Sequence, residues 1–388
     1  MAFAVAIALT GMTVLSSAPS GAAGNAPIPI GYVCSCTGPL ASSVSVNRSA
    51  YEAYVDWTNA HGGIQGHQIK LYAVDDALNP ATSAAQVHTL VNQDHIAALV
   101  EVSNVAQAWD TYVEGLHIPV VGADGSDIEM FTQPDFFFPG QTDNSLPASV
   151  VAAAKKAGAK KMAIFYCAEA PACQELVAPE RAAAKQYNEN LAYITQISAS
   201  APSFAAQCLA AKQAGATALF VADAVSVVEA VGSSCAKQGY TPTIIASDGA
   251  VGRQFTSTPG LSDHLLAVEP QIPFNVTNTP ATKTMIAAFD KYKPTLRSNP
   301  NYNGEVVEAW ASGLLLTAAV EAAKPGAQVT SADILKGLDS MKGQTLGGIS
   351  PPLTYHAGQP NTVNCWFYMG TKNGKFTEPY GLKPACMK

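Results

Sequence analysis

The sequence predicts an α/β protein built from two doubly wound lobes. Three observations carry that expectation. From about residue 28, strand-like and helix-like segments alternate strictly, the pattern of parallel strands joined by helical crossovers. An extended stretch, residues 136–143, interrupts the alternation, which then restarts with the same rhythm. A second extended stretch, residues 270–280, is rich in Pro, Asn and Thr and ends the second run. The two stretches are expected to be crossings between the lobes.

The first unit shows the logic best. Residues 28–33 are apolar and β-prone, and stop at the small-residue turn Cys34-Ser35-Cys36-Thr37-Gly38-Pro39. Over residues 46–60, Ala50, Tyr51, Tyr54, Val55 and Thr58 recur at three- and four-residue steps, which is helix spacing. The run from His61 to Gly66 ends that helix, because glycine takes the left-handed cap conformation at no steric cost. Residues 69–74 form a second strand that ends in Asp75-Asp76. A strand–helix–strand unit of this length implies parallel strands and a right-handed crossover.

The remaining elements follow in order. A helix is predicted over 81–94, and an apolar strand covered on both faces over 96–102. Ser103-Asn104 leads to a helix over 106–116, and a fourth strand over 118–123 ends at Asp124-Gly125-Ser126. After the first crossing come a helix over 146–156, a strand over 162–166, a helix over 173–188 and a strand over 192–197. A helix over 203–213, a strand over 218–222, a helix over 226–237, and strands over 243–247 and 265–269 complete that run. Helices are then predicted over 282–293, 304–323 and 331–341 with no strand between them. A tail hairpin spans 363–369 and 374–377.

The order and spacing of several short motifs resemble one family. These are Thr37-Gly38-Pro39 after strand one, the run from Asn59 to Gly66 before strand two, and Asp75-Asp76 with Asn79-Pro80 after it. They are similar to the periplasmic solute-binding proteins of the leucine/isoleucine/valine-binding type, receptors of ABC importers. The resemblance covers the chain from about Ile28 to the C-terminus. It implies the type I periplasmic-binding-protein fold, with the three late helices returning to the first lobe and a third crossing at residues 343–352. Three parallel linkers restrict the lobes to hinge closure. The expected organisation is a signal-like segment over 1–24, an N-terminal lobe of 25–141 plus 273–345, and a C-terminal lobe of 142–272 plus 346–388.

Composition narrows the function. The chain has 388 residues, 48% hydrophobic and 13% charged, with a net charge of −7. A large core is easily buried, and the composition argues against disorder. Nucleic acid is an unsuitable partner, because phosphates demand lysine and arginine clusters that this chain lacks. Residues 2–15 are an apolar run followed by small residues, the layout of an export signal, and too short to span a bilayer comfortably. The alternative is a buried apolar strand or helix. No Lys or Arg precedes Arg48, so the usual basic start is missing and the natural start is expected upstream of Met1. An extracytoplasmic location, in the periplasm or at the cell surface, follows as an expectation.

Eight cysteines in an exported chain suggest disulfides, with 105 possible pairings. Locality favours Cys167–Cys173, Cys208–Cys235 and Cys365–Cys386, which leaves Cys34 with Cys36 in a tight ring. The rival reading of that last pair is a metal or redox site, but no histidine or second cysteine pair stands nearby at ligand spacing.

Open α/β sheets bind ligands beyond the carboxyl ends of their strands, so two facing lobes would line one cleft. The candidates from the first lobe are Thr37, Leu40, Ser103, Asn104, Asp124, Gly125 and Ser126. From the second come Tyr166, the stretch Ala222-Asp223-Ala224 and Asp248. Each has a plainer alternative. Ser103-Asn104 and Gly125-Ser126 suit helix caps and loops, Asp248 an Asx turn, and Tyr166 core packing. The resemblance assigns Asp248 the place of the acidic residue that receives a ligand's ammonium group. Two departures matter. The family's Ala-Ala-Thr-like stretch reads Ala123-Asp124-Gly125-Ser126 here, adding a carboxylate that would repel an anionic ligand. Its Tyr-Gly after the first strand of the second lobe is replaced by Ala170-Pro171-Ala172-Cys173. A cationic, larger or aromatic solute is therefore at least as well supported as a branched-chain amino acid.

No nucleophile elbow, zinc-protease helix, phosphate-binding lysine loop or dinucleotide glycine motif occurs. The expected protein is not an enzyme and carries no cofactor or metal. It acts as a monomer that captures a small solute by hinge closure and presents it to a membrane permease. A ligand-sensing receptor domain on the same fold and a secreted hydrolase are the rival readings.

Overall fold

The structure is a computed structural model and describes residues 1, 25–169, 171–247 and 249–387. The expected signal-like segment, Asp248 and Ala170 lie outside the described residues, Met1 excepted.

The first lobe opens with β1 (Ile28–Cys34), α1 (Ala41–Val44), α2 (Asn47–Ala60), β2 (Ile69–Asp75) and α3 (Pro80–Asn92). It continues through β3 (Ala98–Val102), α4 (Asp110–Gly115), β4 (Val120–Val121) and β5 (Phe136–Phe137). The second lobe contains α5 (Leu146–Lys156), β6 (Met162–Cys167), α6 (Pro171–Glu175), α7 (Val177–Gln186) and β7 (Leu191–Ile197). There follow α8 (Ala205–Gln213), β8 (Ala218–Ala222), α9 (Val225–Lys237), β9 (Thr243–Ser247) and β10 (Leu265–Glu269). The chain then gives α10 (Pro280–Tyr292), α11 (Glu305–Ala323), α12 (Ser331–Asp339), β11 (Lys342–Gln344) and β12 (Leu353–Thr354). It ends in β13 (Cys365–Lys372), β14 (Lys375–Thr377) and β15 (Ala385–Cys386).

The first sheet has the order β2-β1-β3-β4-β5, with every pair parallel. The second runs β14-β13-β10-β9-β8-β6-β7, with β15 beside β13. Its strands β6 to β10 are parallel, and β13 lies antiparallel to β10. Counted within each lobe, both parallel sets read second-first-third-fourth-fifth. The crossovers diverge between β1 and β3 and again between β6 and β8. Such switch points leave a crevice at the carboxyl edge of a doubly wound sheet.

Local chemistry explains the element ends. Asn79 caps α3 by accepting the Thr82 N–H at 2.9 Å, with Pro80 at the first helical position. Thr279 with Thr282 and Thr330 with Asp333 form capping boxes on α10 and α12. Gly62 and Gly63 end α2 at φ of 97° and 73°, and a Cβ on Gly63 would overlap the His67 carbonyl.

Four expectations are corrected. The helix over 106–116 is a 3₁₀ turn, Ala106–Ala108, followed by α4. The fourth strand shrinks to two residues. The helix over 173–188 breaks between α6 and α7, where Pro179 has no N–H to offer the Glu175 carbonyl. Phe136-Phe137, expected in the first crossing, instead forms the edge strand of the first sheet. Both rings are buried, Phe136 against Trp109 and Phe137 against Tyr355.

By length and composition α11 could cross a membrane, but it is a core helix. It packs on α2 and α12, with Trp310 edge-on to Tyr54 and Phe289. The chain passes between the sheets three times, after β5, after β10 and before β13. These crossings bond to one another. The Gln141 N–H donates to the Pro270 carbonyl at 3.4 Å, Ile272 N–H to Ile349 at 2.8 Å, and Thr142 N–H to Val363 at 3.4 Å. Tyr355 Oη donates to the Phe138 carbonyl at 2.7 Å.

The cysteines join as Cys34–Cys36, Cys167–Cys173, Cys208–Cys235 and Cys365–Cys386, with Cα separations of 5.1, 5.4, 5.1 and 4.0 Å.

The α11–α12 contact yields a test. A Cβ on Gly337 would overlap the Ala319 backbone. Gly337→Ala should therefore force the helices apart and cost about 1–3 kcal/mol, the usual cost of overpacking. A lowered urea midpoint, followed by tryptophan fluorescence, is the expected result.

Candidate ligand-binding site

The carboxyl edges of the two sheets meet. Helix α1, which follows β1, packs on α9, which follows β8. The segment before α11 joins them. Asn303 Nδ2 donates to the Ser43 carbonyl at 2.8 Å and to the Gly249 carbonyl at 3.3 Å, so one amide touches both lobes. Asn301 Nδ2 donates to the Ala41 carbonyl at 3.3 Å and to Ser45 Oγ at 3.1 Å. Gly249 lies over Glu305, where a Cβ would come within 2.8 Å of its Oε1. The other oxygen of Glu305 accepts from Asn47 Nδ2 at 2.8 Å, and that amide also donates to the Ala123 carbonyl at 2.9 Å. The Arg253 guanidinium sits 5.4 Å from the centre of the Tyr302 ring.

The first lobe brings Asn104, Asp124 and Ser126 into one cluster. Asn104 Nδ2 donates to Asp124 Oδ2 at 3.0 Å and to Ser126 Oγ at 2.7 Å, and the Ser126 N–H donates to Asp124 Oδ1 at 2.8 Å. Asn104 has a φ of 52°, which asparagine tolerates better than most residues. Gly125 is wedged against Phe138 and the Gln141 carbonyl, with no room for a side chain. Thr37 is exposed, with its N–H 3.4 Å from Asp75 Oδ1. Leu40 is half-buried against the main core.

Ser103 is placed differently. It is 0% exposed, and its hydroxyl donates to Asp76 Oδ2 at 2.5 Å and lies 3.1 Å from Ser83 Oγ. Ser83 accepts from Trp109 Nε1 at 2.9 Å. This network ties β2, β3 and α3 together beneath the cleft.

Below the Asn104 cluster lie more acids. Glu101 is buried on β3 and is pushed well above the carboxylate range, first by burial and then by the charges of Asp127 and Asp124. Asp127 rises to about 8 through burial and through Asp124 and Glu129, against the lowering bond from the Ala106 N–H. Burial and the neighbouring acids thus favour the protonated form of both carboxyls.

In the second lobe, Tyr166 is half-buried and pairs with Ala222 at the end of β8. Ala224 is the residue before α9, and its N–H donates to Asp223 Oδ1 at 2.7 Å. Asp223 Oδ2 is buried with no hydrogen-bond partner among the described residues. Burial, with the charge of Glu169 adding to it, raises Asp223 to about 6 from its ordinary 3.8, against the pull of the Ala224 N–H. Asn303, which is not one of the expected candidates, bonds across the lobes to Gly249, and the Arg253 guanidinium donates across them to the Arg297 carbonyl. Asn47, Asn303, Glu305, Glu101 and Asp127 escaped the sequence reading. The only local signal was the Asn301-Tyr302-Asn303-Gly304 turn before α11.

Comparisons with known proteins agree with this architecture. Residues 27–375 match the family model described as Periplasmic binding protein. A search of curated proteins finds no match. Among solved structures, a branched-chain amino acid ABC transporter protein from Thermus thermophilus with bound valine is similar, with TM-score 0.82 and 14% identity. That match covers 94% of this chain and 97% of the other. An extracellular ligand-binding receptor from Verminephrobacter eiseniae matches with TM-score 0.76 and 21% identity, over 90% and 99% of the two chains. A solute-binding protein of R. palustris in complex with benzoate gives TM-score 0.74 and 16% identity, over 93% and 98%. With nine-tenths of its length matched to the family and the same two-lobed architecture, the chain belongs to the periplasmic binding protein family and has that family's solute-binding role.

Proposed function

We propose that this protein captures a small organic solute bearing a basic group, an amino acid or a related or aromatic amine. It does so between its lobes, as a monomer, outside the cytoplasm, and delivers the solute to the permease of an ABC importer. The lobes are residues 25–141 with 273–345 and residues 142–272 with 346–388. The observation that carries the reading is Asp223. A carboxylate oxygen held at the switch point of the second lobe, buried and without a donor among the described residues, is costly until a cation or N–H group reaches it. Asp124 gives the first lobe a negative charge of its own, which disfavours a solute that turns a bare carboxylate to that wall. Asp248, by its place in the chain, is the proposed second acceptor for the ammonium group. Thr37, Leu40, Asn104, Gly125, Ser126, Tyr166 and Ala224 shape the rest of the cleft. The protein leaves its ligand chemically unchanged.

A thermal-shift screen against amino acids, polyamines and aromatic acids tests the reading, since a ligand of the folded state raises the melting temperature by mass action. Amines should shift it, and a screen in which only non-amine anions shift it would overturn the proposal. Asp223→Asn removes the charge but keeps an acceptor for the Ala224 N–H. It should weaken binding of the amine about tenfold or more, as loss of a charge-assisted bond does.

The pH dependence has a definite sign. Because Asp223 titrates near 6, amine affinity should fall as pH drops through 6, and the Asn variant should lose that dependence. The raised pKa also means that the folded protein holds this proton more tightly than the unfolded chain does. The stability contributed at this position is present below pH 4 and is lost as pH rises through 6. Ligand-free Asp223→Asn should therefore melt higher than the wild type at pH 7 while binding more weakly.

A further inference from the structure

We propose that Cys34–Cys36 and Cys167–Cys173 are positioning bridges of the solute site, which hold the two switch-point loops in gripping shape and contribute little to the stability of the fold. The proposal rests on the cleft being the solute site.

The four bridges divide by place. Cys34 is the last residue of β1 and Cys167 the last of β6, the corresponding strands of the two lobes. Both stand beside a switch point. Cys208–Cys235 ties α8 to α9, and Cys365–Cys386 ties β13 to β15 at the antiparallel edge of the second sheet. They also divide by span. The rim pairs are 2 and 6 residues apart, the others 27 and 21. The entropy that a bridge removes from the unfolded chain grows with the enclosed loop, so the rim pairs stabilise the fold least.

What the rim pairs do is local. Cys34–Cys36 encloses Ser35, whose N–H donates to the Val102 carbonyl at 2.9 Å. The Ser35 hydroxyl contacts Asp76 Oδ1 at 2.8 Å and also the Ser103 carbonyl. Asp76 N–H in turn donates to the Cys34 carbonyl at 2.9 Å. Beyond Cys36 the chain turns outward through exposed Thr37, Gly38 and Pro39 into α1, which rests on the other lobe. Asn301 and Asn303 hold the far end of that segment, and the bridge holds the near end. In the second lobe, Cys167–Cys173 folds α6 back onto the end of β6. The loop so closed carries Glu169, which accepts from the Ala168 and Ala199 N–H groups at 2.9 and 2.7 Å and whose charge reaches Asp223.

The test compares three variants of the full chain: Cys34→Ala/Cys36→Ala, Cys167→Ala/Cys173→Ala, and Cys208→Ala/Cys235→Ala as reference. For each, three quantities are measured. They are hydrogen exchange of residues 35–46 and 168–176 without ligand, the melting temperature, and dissociation of an amine that the wild type binds. The rim variants should lose protection in their own loop and release the amine about tenfold faster, because pre-organisation is lost. They should melt close to the wild type, whereas the reference variant should melt clearly lower with unchanged release. A rim variant that fails to fold, melts as low as the reference, or keeps both protection and slow release overturns the proposal. If the wild type binds no amine, the reading of the cleft fails separately, and unchanged exchange in the rim variants still overturns the positioning role.

Discussion

Parallel strands cannot be joined by tight turns, and the rest of this molecule depends on that constraint. Each crossover must return along a face of the sheet, so every strand in a lobe points the same way and all the carboxyl ends share one edge. Because the order is second-first-third, the helices after β1 and β3, and those after β6 and β8, leave to opposite faces and open a crevice. One crevice is only a groove in a surface. In this protein two such carboxyl edges meet. The contacts of Asn303 with Ser43 and Gly249 keep them facing.

The acids at those edges are handled in different ways. Glu101 and Asp127 lie close to one another, and burial with mutual repulsion pushes both carboxyls toward the protonated form. The Asn104 amide and the Ser126 N–H satisfy the oxygens of Asp124. Asp223 is different. Only one of its oxygens is met by a backbone N–H, and the other is buried with no hydrogen-bond partner among the described residues. An unmet buried carboxylate oxygen is costly to the fold, and that cost is what the proposed basic solute would relieve.

Much of the lobe architecture was legible in the sequence because it is local. Apolar periodicity, proline starts and glycine ends are set by neighbours along the chain, and strands such as Met162–Cys167 and Ala218–Ala222 read off almost residue for residue. Errors fell where tertiary burial decided the outcome. Phe136-Phe137 looked like a linker because two residues carry no period, and only Trp109 and Tyr355 make them a strand. The site was less legible. Asn104, Asp124 and Ser126 could be expected on one edge, where they do cluster, because strand ends can be located from the pattern. Asn303 could not, since its bond to Ser43 spans 260 residues. Glu101 sits inside an apolar run and gave no hint that its carboxyl would be buried next to Asp127.

The three crossings have a consequence for the covalent chain. They run side by side and are stitched by backbone bonds from Gln141 to Pro270 and from Ile272 to Ile349. No single peptide bond therefore carries the whole connection between the halves. Cleaving one linker would leave two polypeptides still held by the remaining two and by the stitching. The same redundancy makes a crossing the natural place to divide the chain into two complementing fragments.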